Sequence, residues 1–302
     1  MRNFLILPIL FIFLVSCSNS EDFDIPKISK LEKLEEHSNQ FIKGIYSYDN
    51  GIHVAIGFGI ANSIMVEGEG GNIIIDTTDD VSQAKEVLSE FQKINQNPIK
   101  AIIYTHNHGD HVFGASEFYN AQEEKPLVIS HSTTAEKVEK ILGIINPIIT
   151  IRSGKMFGTN LDEDELINVG LGPYLSAGRS SPGYIAPTMT FEKELKLEIA
   201  GHKVELYHAP GETDDQLFVW FPELSALMPG DNFYTTFPNL YTIRGTSHRD
   251  VIGWVNSIDK MRSLDPQYLF PSHTMPVVGE EISNALIIYR DGMQYVHDQT
   301  VR

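Results

Sequence analysis

Cysteine is almost absent from this chain of 302 residues, which has one, Cys17. With that residue so close to the N-terminus, the folded part has no disulfide and no thiolate metal ligand, so any metal has to sit on His, Asp or Glu. Basic charge is also scarce: 23 Lys and Arg face 40 Asp and Glu, a formal net charge of −17. A protein that grips a phosphate backbone irrespective of sequence neutralises it with Lys and Arg, so nucleic acid is excluded as a partner class. Long apolar runs are missing too, since the stretch Phe4 to Val15 falls short of the roughly 20 residues needed to cross a bilayer core. What is present is ordinary globular composition, 42% hydrophobic and 21% charged, together with 11 histidines, the usual raw material of a metal site.

The first residues read as a targeting segment. Met1-Arg2-Asn3 is a positive head, the apolar run follows, and Leu14-Val15-Ser16-Cys17 resembles the lipobox at which bacterial lipoproteins are lipidated on Cys and cut before it. The expectation is a lipoprotein signal peptide over 1–16, a lipid anchor on Cys17, a tether over 17–40 opening with Ser18-Asn19-Ser20-Glu21-Asp22, and a folded domain over 41–302. Such a protein is exported and membrane-anchored, facing the periplasm or the cell exterior.

From Gly51 to Thr77 three apolar runs, Ile52 to Ile56, Ile64 to Val66 and Asn72 to Asp76, are separated by glycines and read as strands joined by tight turns. Val81, Ala84, Val87, Leu88 and Phe91 have helical spacing, and Pro98 to Tyr104 is a short apolar run of the kind found in buried strands. A helix near Asp110 to Tyr119, a strand at Leu127 to Ile129 and a helix from Thr133 to Leu142 continue the alternation. From Asn146 to Pro187 Gly, Pro, Ser and acidic residues predict a long surface excursion. Strands resume at Leu195 to Ala200, Val204 to His208, Leu217 to Phe221 and Ala226 to Met228, then a helix at Arg249 to Leu264, a strand at Tyr268 to Phe270 and a long helix at Glu280 to Val301. Two β-rich halves with helices outside imply an α/β (α+β) architecture of two packed sheets flanked by helices.

Thr105-His106-Asn107-His108-Gly109-Asp110-His111 follows an apolar strand and precedes a helix. Alternation points His106 and His108 one way, while Asp110 and His111, at the turn into the helix, face a second position. The spacing supplies two metal half-sites, and imidazoles with a carboxylate suit Zn²⁺, with Mn²⁺ or Fe also compatible with these ligand types.

The pattern His106-x-His108-x-Asp110-His111 resembles the signature of the metallo-β-lactamase-fold hydrolases, and the similarity runs along nearly the whole mature chain. It implies a four-layer αββα sandwich with a dinuclear site at the sheet edges. Matched in order, His208-Ala209-Pro210-Gly211-Glu212, Pro229-Gly230-Asp231 and Pro271-Ser272-His273 make Glu212, Asp231 and His273 the remaining expected ligands, with Asp231 as the bridge. Glu212 departs from the superfamily's usual His and is similar to the alkylsulfatase branch, as are Asn239-Leu240-Tyr241-Thr242-Ile243-Arg244-Gly245 and the last helix. Asp231 departs from that branch, where Glu is common at the bridge. The branch usually continues into a helical dimerisation domain and a lipid-carrier-like domain, which this sequence does not include; a homodimer is expected where they are present.

The resemblance implies hydrolysis of an alkyl sulfate ester to alcohol and sulfate by water shared between two cations, which lower its pKa towards neutrality. Asp110, Asp231, Asn239 and Arg244 are expected at the reacting centre, Arg244 with Asn239 as the clamp for the anionic head, a task suited to a planar guanidinium. Carboxylic esters, thioesters or lactams are the alternative substrates on the same fold, and an anchored binding module without activity is the remote one. His208 reads as a strand residue outside the ligand set, His131 as a helix-start residue, and His248 as a surface residue within reach of a proton-donor role. Tyr174, Leu175, Tyr184 and Ile185 either line an alkyl pocket or pack a lid on its own domain.

Overall fold

Short apolar runs punctuated by Gly and Asp become the strands of a computed structural model that describes residues 30–162, 165–175 and 182–302. The expected signal peptide and Cys17 lie outside the described residues. After helix α1 (Lys30–His37), strands β1 (Gly44–Ser47), β2 (Ile52–Ile56), β3 (Ser63–Gly68) and β4 (Gly71–Ile75) form an antiparallel meander. The chain then crosses over through α2 (Val81–Ile94) to β5 (Ile99–Ile103), through α3 (Gly109–Val112) and α4 (Ala115–Asn120) to β6 (Leu127–His131), and through α5 (Thr134–Leu142) and α6 (Asn146–Met156) to β7 (Met189–Phe191). These crossovers make β4 to β7 parallel and complete a seven-stranded sheet in chain order. The second sheet is a meander of β8 (Glu194–Ile199), β9 (His202–His208), β10 (Leu217–Phe221) and β11 (Ala226–Met228). Helix α7 (Val251–Arg262) then leads to parallel β12 (Tyr268–Leu269), and β13 (Val277–Val278) and α8 (Glu281–Val301) follow.

Alternation along the strands sorts side chains into three cores. Val54 and Ile56 of β2 face the other sheet, meeting Leu206, Val219 and Phe270. Ala55, one residue between them, turns outward with Ile74 and Ile102 against Ala84, Val87 and Phe91, the buried stripe of α2. On the far side Phe218 and Leu227 pack on Trp254 and Ile258 of α7 and on Leu286 and Met293 of α8. Helix, sheet, sheet, helix is the four-layer order expected from the sequence. The Asp80 carboxylate caps α2, accepting from Ser82 N at 2.7 Å and Gln83 N at 2.9 Å, a contact that contributes about 1 kcal/mol.

Three expectations need correction. The helix anticipated from Asp110 to Tyr119 is two, broken at Phe113-Gly114, because Gly114 sits against the 77–84 region: a Cβ there meets Thr77 O at 1.9 Å and Ala84 Cβ at 2.6 Å. The excursion from Asn146 begins as the helix α6, with Pro147 in its first turn. Its Ile148-Ile149-Thr150-Ile151 run has low helix propensity, and the face that lines a cavity, Asn146, Ile149, Thr150, Ser153 and Met156, mixes polar and apolar residues. The tether expected over 17–40 is described from Lys30 onward, where α1 is bonded to the domain: Asn168 Nδ2 donates to Leu34 O at 2.8 Å and to Ser38 Oγ at 2.9 Å.

Candidate metal centre

Every candidate ligand follows the carboxyl end of a strand. His106 to His111 follow β5, Glu212 follows β9, Asp231 follows β11 and His273 follows β12, so both sheets deliver side chains to one edge of the sandwich. Gly230 makes room for this: it has φ +59°, and a Cβ there would lie 2.1 Å from Gln216 Nε2 and 2.8 Å from Thr105 Cβ. Asp76 and Thr274, also at positive φ, turn the chain sharply after β4 and beside His273.

The structure gathers six of the seven expected ligands into two groups, His106 with His108 and Asp231, and Asp110 with His111 and His273. Asp231 Oδ2 lies between the two groups, 3.6 Å from His106 Nε2, 3.4 Å from His111 Nε2 and 3.1 Å from His273 Nε2. Asp110 Oδ2 is 3.2 Å from His111 Nε2 and 3.5 Å from His273 Nε2. Glu212 is buried but stays outside both groups, with Oε1 held 2.7 Å from Arg249 Nη2. Three atoms aimed into the centre, His111 Nε2, Asp231 Oδ1 and Glu212 Oε2, are buried without a hydrogen-bond partner. Left so, each costs about 1–3 kcal/mol; cations on this donor set remove that cost, and the residues therefore fit a metal.

The second ring nitrogens are tied down. His111 Nδ1 donates to Asp76 Oδ2 at 2.8 Å and His273 Nδ1 donates to Ile60 O at 2.8 Å. Thr105 Oγ1 donates to Asp76 Oδ2 at 2.9 Å, so it accepts from His106 Nδ1 at 3.0 Å. Protons on Nδ1 leave Nε2 of His106, His111 and His273 as the nitrogen that would hold a cation, once His111 and His273 give up their second proton. His106 Nε2 accepts from His108 Nδ1 at 2.9 Å, and Arg244 Nη2 donates to His108 Nε2 at 3.3 Å. His108 is thus the imidazole whose inward nitrogen, Nδ1, carries a proton; to hold a cation there, that proton would have to move to Nε2, ending the bond from Arg244.

Charge explains the titration of the group. Burial, helped by the neighbouring His111, pulls His106 down to about 4. Burial pulls His273 down as well, but the Asp231 carboxylate outweighs it and carries the imidazole up to about 9. His111 is likewise raised despite burial, by Asp231, Asp110 and Asp76. Asp110 and Asp231 are held below the carboxylate range, where the charge on His111 overcomes their burial. Burial pushes Glu212 up to about 7, against the pull of Arg249. Carboxylates outnumber the arginines here, and two imidazolium protons supply positive charge where cations fit.

A cavity of about 330 Å³ opens onto the centre. Arg244, Asn239, His108, Asp110, Asp231 and His273 line its polar end, and Phe113, Ile149, Met156, Phe157, Leu171 and Leu175 its apolar remainder. Leu175 is therefore a cavity residue, whereas Tyr184 and Ile185 pack in the outer core beneath α2 and α4, and Tyr174 hydrogen-bonds Phe58 O at 3.1 Å. His131 and His208 stack on each other at 4.1 Å away from the cavity, and His248 is exposed. Two functional residues escaped the sequence reading. Asp76, fully buried, accepts from Thr105 N at 2.9 Å, Thr105 Oγ1, His111 Nδ1 and, at 2.7 Å, Ser272 Oγ. Its signal was its place at the end of the strand beside the one carrying His106. Arg249 had no signal beyond a helix start.

Residues 56–273 match the model of the metallo-beta-lactamase superfamily. The chain belongs to that superfamily. Within it, this metallo-beta-lactamase-superfamily chain is 40% identical over 245 residues to a linear primary-alkylsulfatase of a Pseudomonas sp. strain, covering 79% of this chain and 46% of the relative. An alkyl/aryl-sulfatase of Saccharomyces cerevisiae is 27% identical over 276 residues, 86% of this chain and 42% of that one. The chain thus spans less than half the length of these curated relatives. The solved structure of the stereoselective inverting sec-alkylsulfatase Pisa1 from Pseudomonas sp. superposes with a TM-score of 0.82 at 24% identity, over 90% of this chain and 44% of the other, a likeness of fold.

Proposed function

We propose that this chain hydrolyses alkyl sulfate monoesters to alcohol and sulfate at a two-zinc centre. The observation that carries the reading is one cavity lined both by the candidate metal ligands with Arg244 and by a set of apolar side chains, a lining that suits an anionic amphiphile once cations are bound. Similarity to alkylsulfatases supports the same substrate class. His106, His108 and the free Oε2 of Glu212 would hold one cation and Asp110, His111 and His273 the other, with Asp231 between them. When bound, such cations supply acidified water and polarise an ester oxygen. Arg244, largely buried and bonded only lightly to His108, turns its guanidinium fork to the sulfate oxygens, and Asn239 borders the same end. Ile149, Met156 and Leu175 hold the chain and exclude water from the head.

Sulfate release from dodecyl sulfate by the zinc-loaded chain tests the reading. His108→Ala is expected to abolish release, and Arg244→Ala to raise KM by about thirtyfold, the loss of a hydrogen bond to a charged group worth about 2 kcal/mol. Release that neither substitution affects would refute it.

We also propose that Cys17 carries a lipid and holds the enzyme at a membrane outside the cytoplasm, on the strength of the Leu14 to Cys17 pattern. Metabolic labelling with palmitate should mark the wild type and not Cys17→Ser; equal labelling of both refutes the anchor.

A further inference from the structure

Arg249 stands outside the ligand set and outside the cavity lining, yet it is 3% exposed and joins two parts of the site. Its Nη2 lies 2.7 Å from Glu212 Oε1, and its Nη1 donates to the backbone carbonyl of Asn239. Glu212 keeps its other oxygen, Oε2, buried and without a hydrogen-bond partner, and Glu212 borders the cavity that opens onto the centre. Asn239 opens the loop that carries Arg244, in which Tyr241 is 68% exposed and Ile243 89% while Thr242 between them is buried. Beyond the Arg249 contact, the foot of the loop is held by Asn239 N donating to Tyr234 Oη at 3.1 Å. Asp250, next to Arg249, caps α7 through Gly253 N at 3.0 Å, so the guanidinium is delivered from the residue just before the cap of that helix.

We propose that Arg249 is a positioning residue that couples the metal centre to the head-group clamp. One edge of its fork holds Glu212 with a single oxygen free for a cation; the other holds the carbonyl at the foot of the Asn239 to Arg244 loop. A planar fork with several fixed donors serves both partners at once, and an ammonium, a point charge on a flexible stem, serves one. The clamp half of this inference rests on the sulfatase reading above; the metal half does not.

The test measures zinc affinity of the resting protein by chelator competition, and KM and kcat for dodecyl sulfate at saturating zinc, in Arg249→Gln and Arg249→Lys. Gln is expected to weaken zinc binding about 10- to 100-fold, the usual effect of removing a group that orients a ligand, and to raise KM with kcat changed far less. Lys is expected to restore zinc affinity to within about threefold, since it still pairs with Glu212, while KM stays raised because the Asn239 carbonyl is released. If Gln prevents folding, this split in the Lys variant decides alone. Wild-type zinc affinity in Arg249→Gln, or a Lys variant that loses zinc affinity as fully as Gln, overturns the proposal, as does a fall in thermal midpoint with zinc affinity and KM unmoved. A wild type that binds zinc but releases no sulfate refutes the sulfatase reading and leaves the zinc measurement to judge the role of Arg249.

Discussion

Replacing Asp76 by Asn should damage the metal centre from outside it. The carboxylate takes four hydrogen bonds, three of them on Oδ2 from Thr105 Oγ1, His111 Nδ1 and Ser272 Oγ, and one on Oδ1 from Thr105 N. Asn keeps the shape and, like Asp, tolerates the left-handed backbone at φ 56°, so no strain is added. It offers one acceptor oxygen where there were two. Placed at Oδ2, that oxygen makes three bonds to an uncharged acceptor in place of three to a carboxylate, each weaker by about 1 kcal/mol, and the new amide N–H faces Thr105 N, leaving a buried donor unpaired at about 1–3 kcal/mol. The metal-free variant is expected to unfold in urea about 4–6 kcal/mol more easily than the wild type, and its zinc affinity to fall about 10- to 100-fold as His111 loses its orienting partner. A variant within about 1 kcal/mol of wild type, with zinc affinity intact, would refute the role assigned to Asp76.

Gly114→Ala places a Cβ 1.9 Å from a backbone oxygen that cannot swing away, so a loss of about 3 kcal/mol is expected in urea unfolding. The metal-free chain should lose thermal stability as pH rises from 6.5 to 9: His273 has a folded pKa of about 9 above its ordinary value, so its stabilisation is complete below about 6.5 and is lost through 9. Glu212, at about 7, acts in the same direction, and zinc should reverse the trend; a midpoint that rises over this range contradicts it. Met156→Trp, which fills the apolar end of the cavity, should cut kcat/KM for dodecyl sulfate by at least about tenfold and leave hexyl sulfate little changed, and equal loss on both substrates argues against that end holding the chain. His131→Ala and His208→Ala, stacked away from the cavity, should keep both zinc content and sulfate release.

The ligand-bearing segments were legible because each carries its chemistry in a short run at a strand end: His106 to His111 is contiguous, and Glu212, Asp231 and His273 each sit by a Pro. Strands buried on both faces, such as Leu217 to Phe221, were equally plain from their unbroken apolar runs. The short edges were not, because β7 and β13 are three and two residues long and are defined by their neighbours in the sheet. Helix α6 was hidden by isoleucines whose propensity argues for strand, and its helical state is settled by the face that lines the cavity. Asp76 and Arg249 act through other residues across gaps of 35 and 37 positions, to His111 and Glu212, and a linear reading has no view of such pairs.

The central claim is that this site recognises an anionic sulfate head joined to an alkyl chain, and the most direct test is a comparison of kcat/KM for dodecyl sulfate, dodecyl acetate and a chromogenic lactam on one zinc-loaded preparation. A clamp built around Arg244 predicts preference for the sulfate by at least about a hundredfold, because the neutral ester leaves the buried guanidinium unpaired. Faster cleavage of the acetate or the lactam would contradict the account.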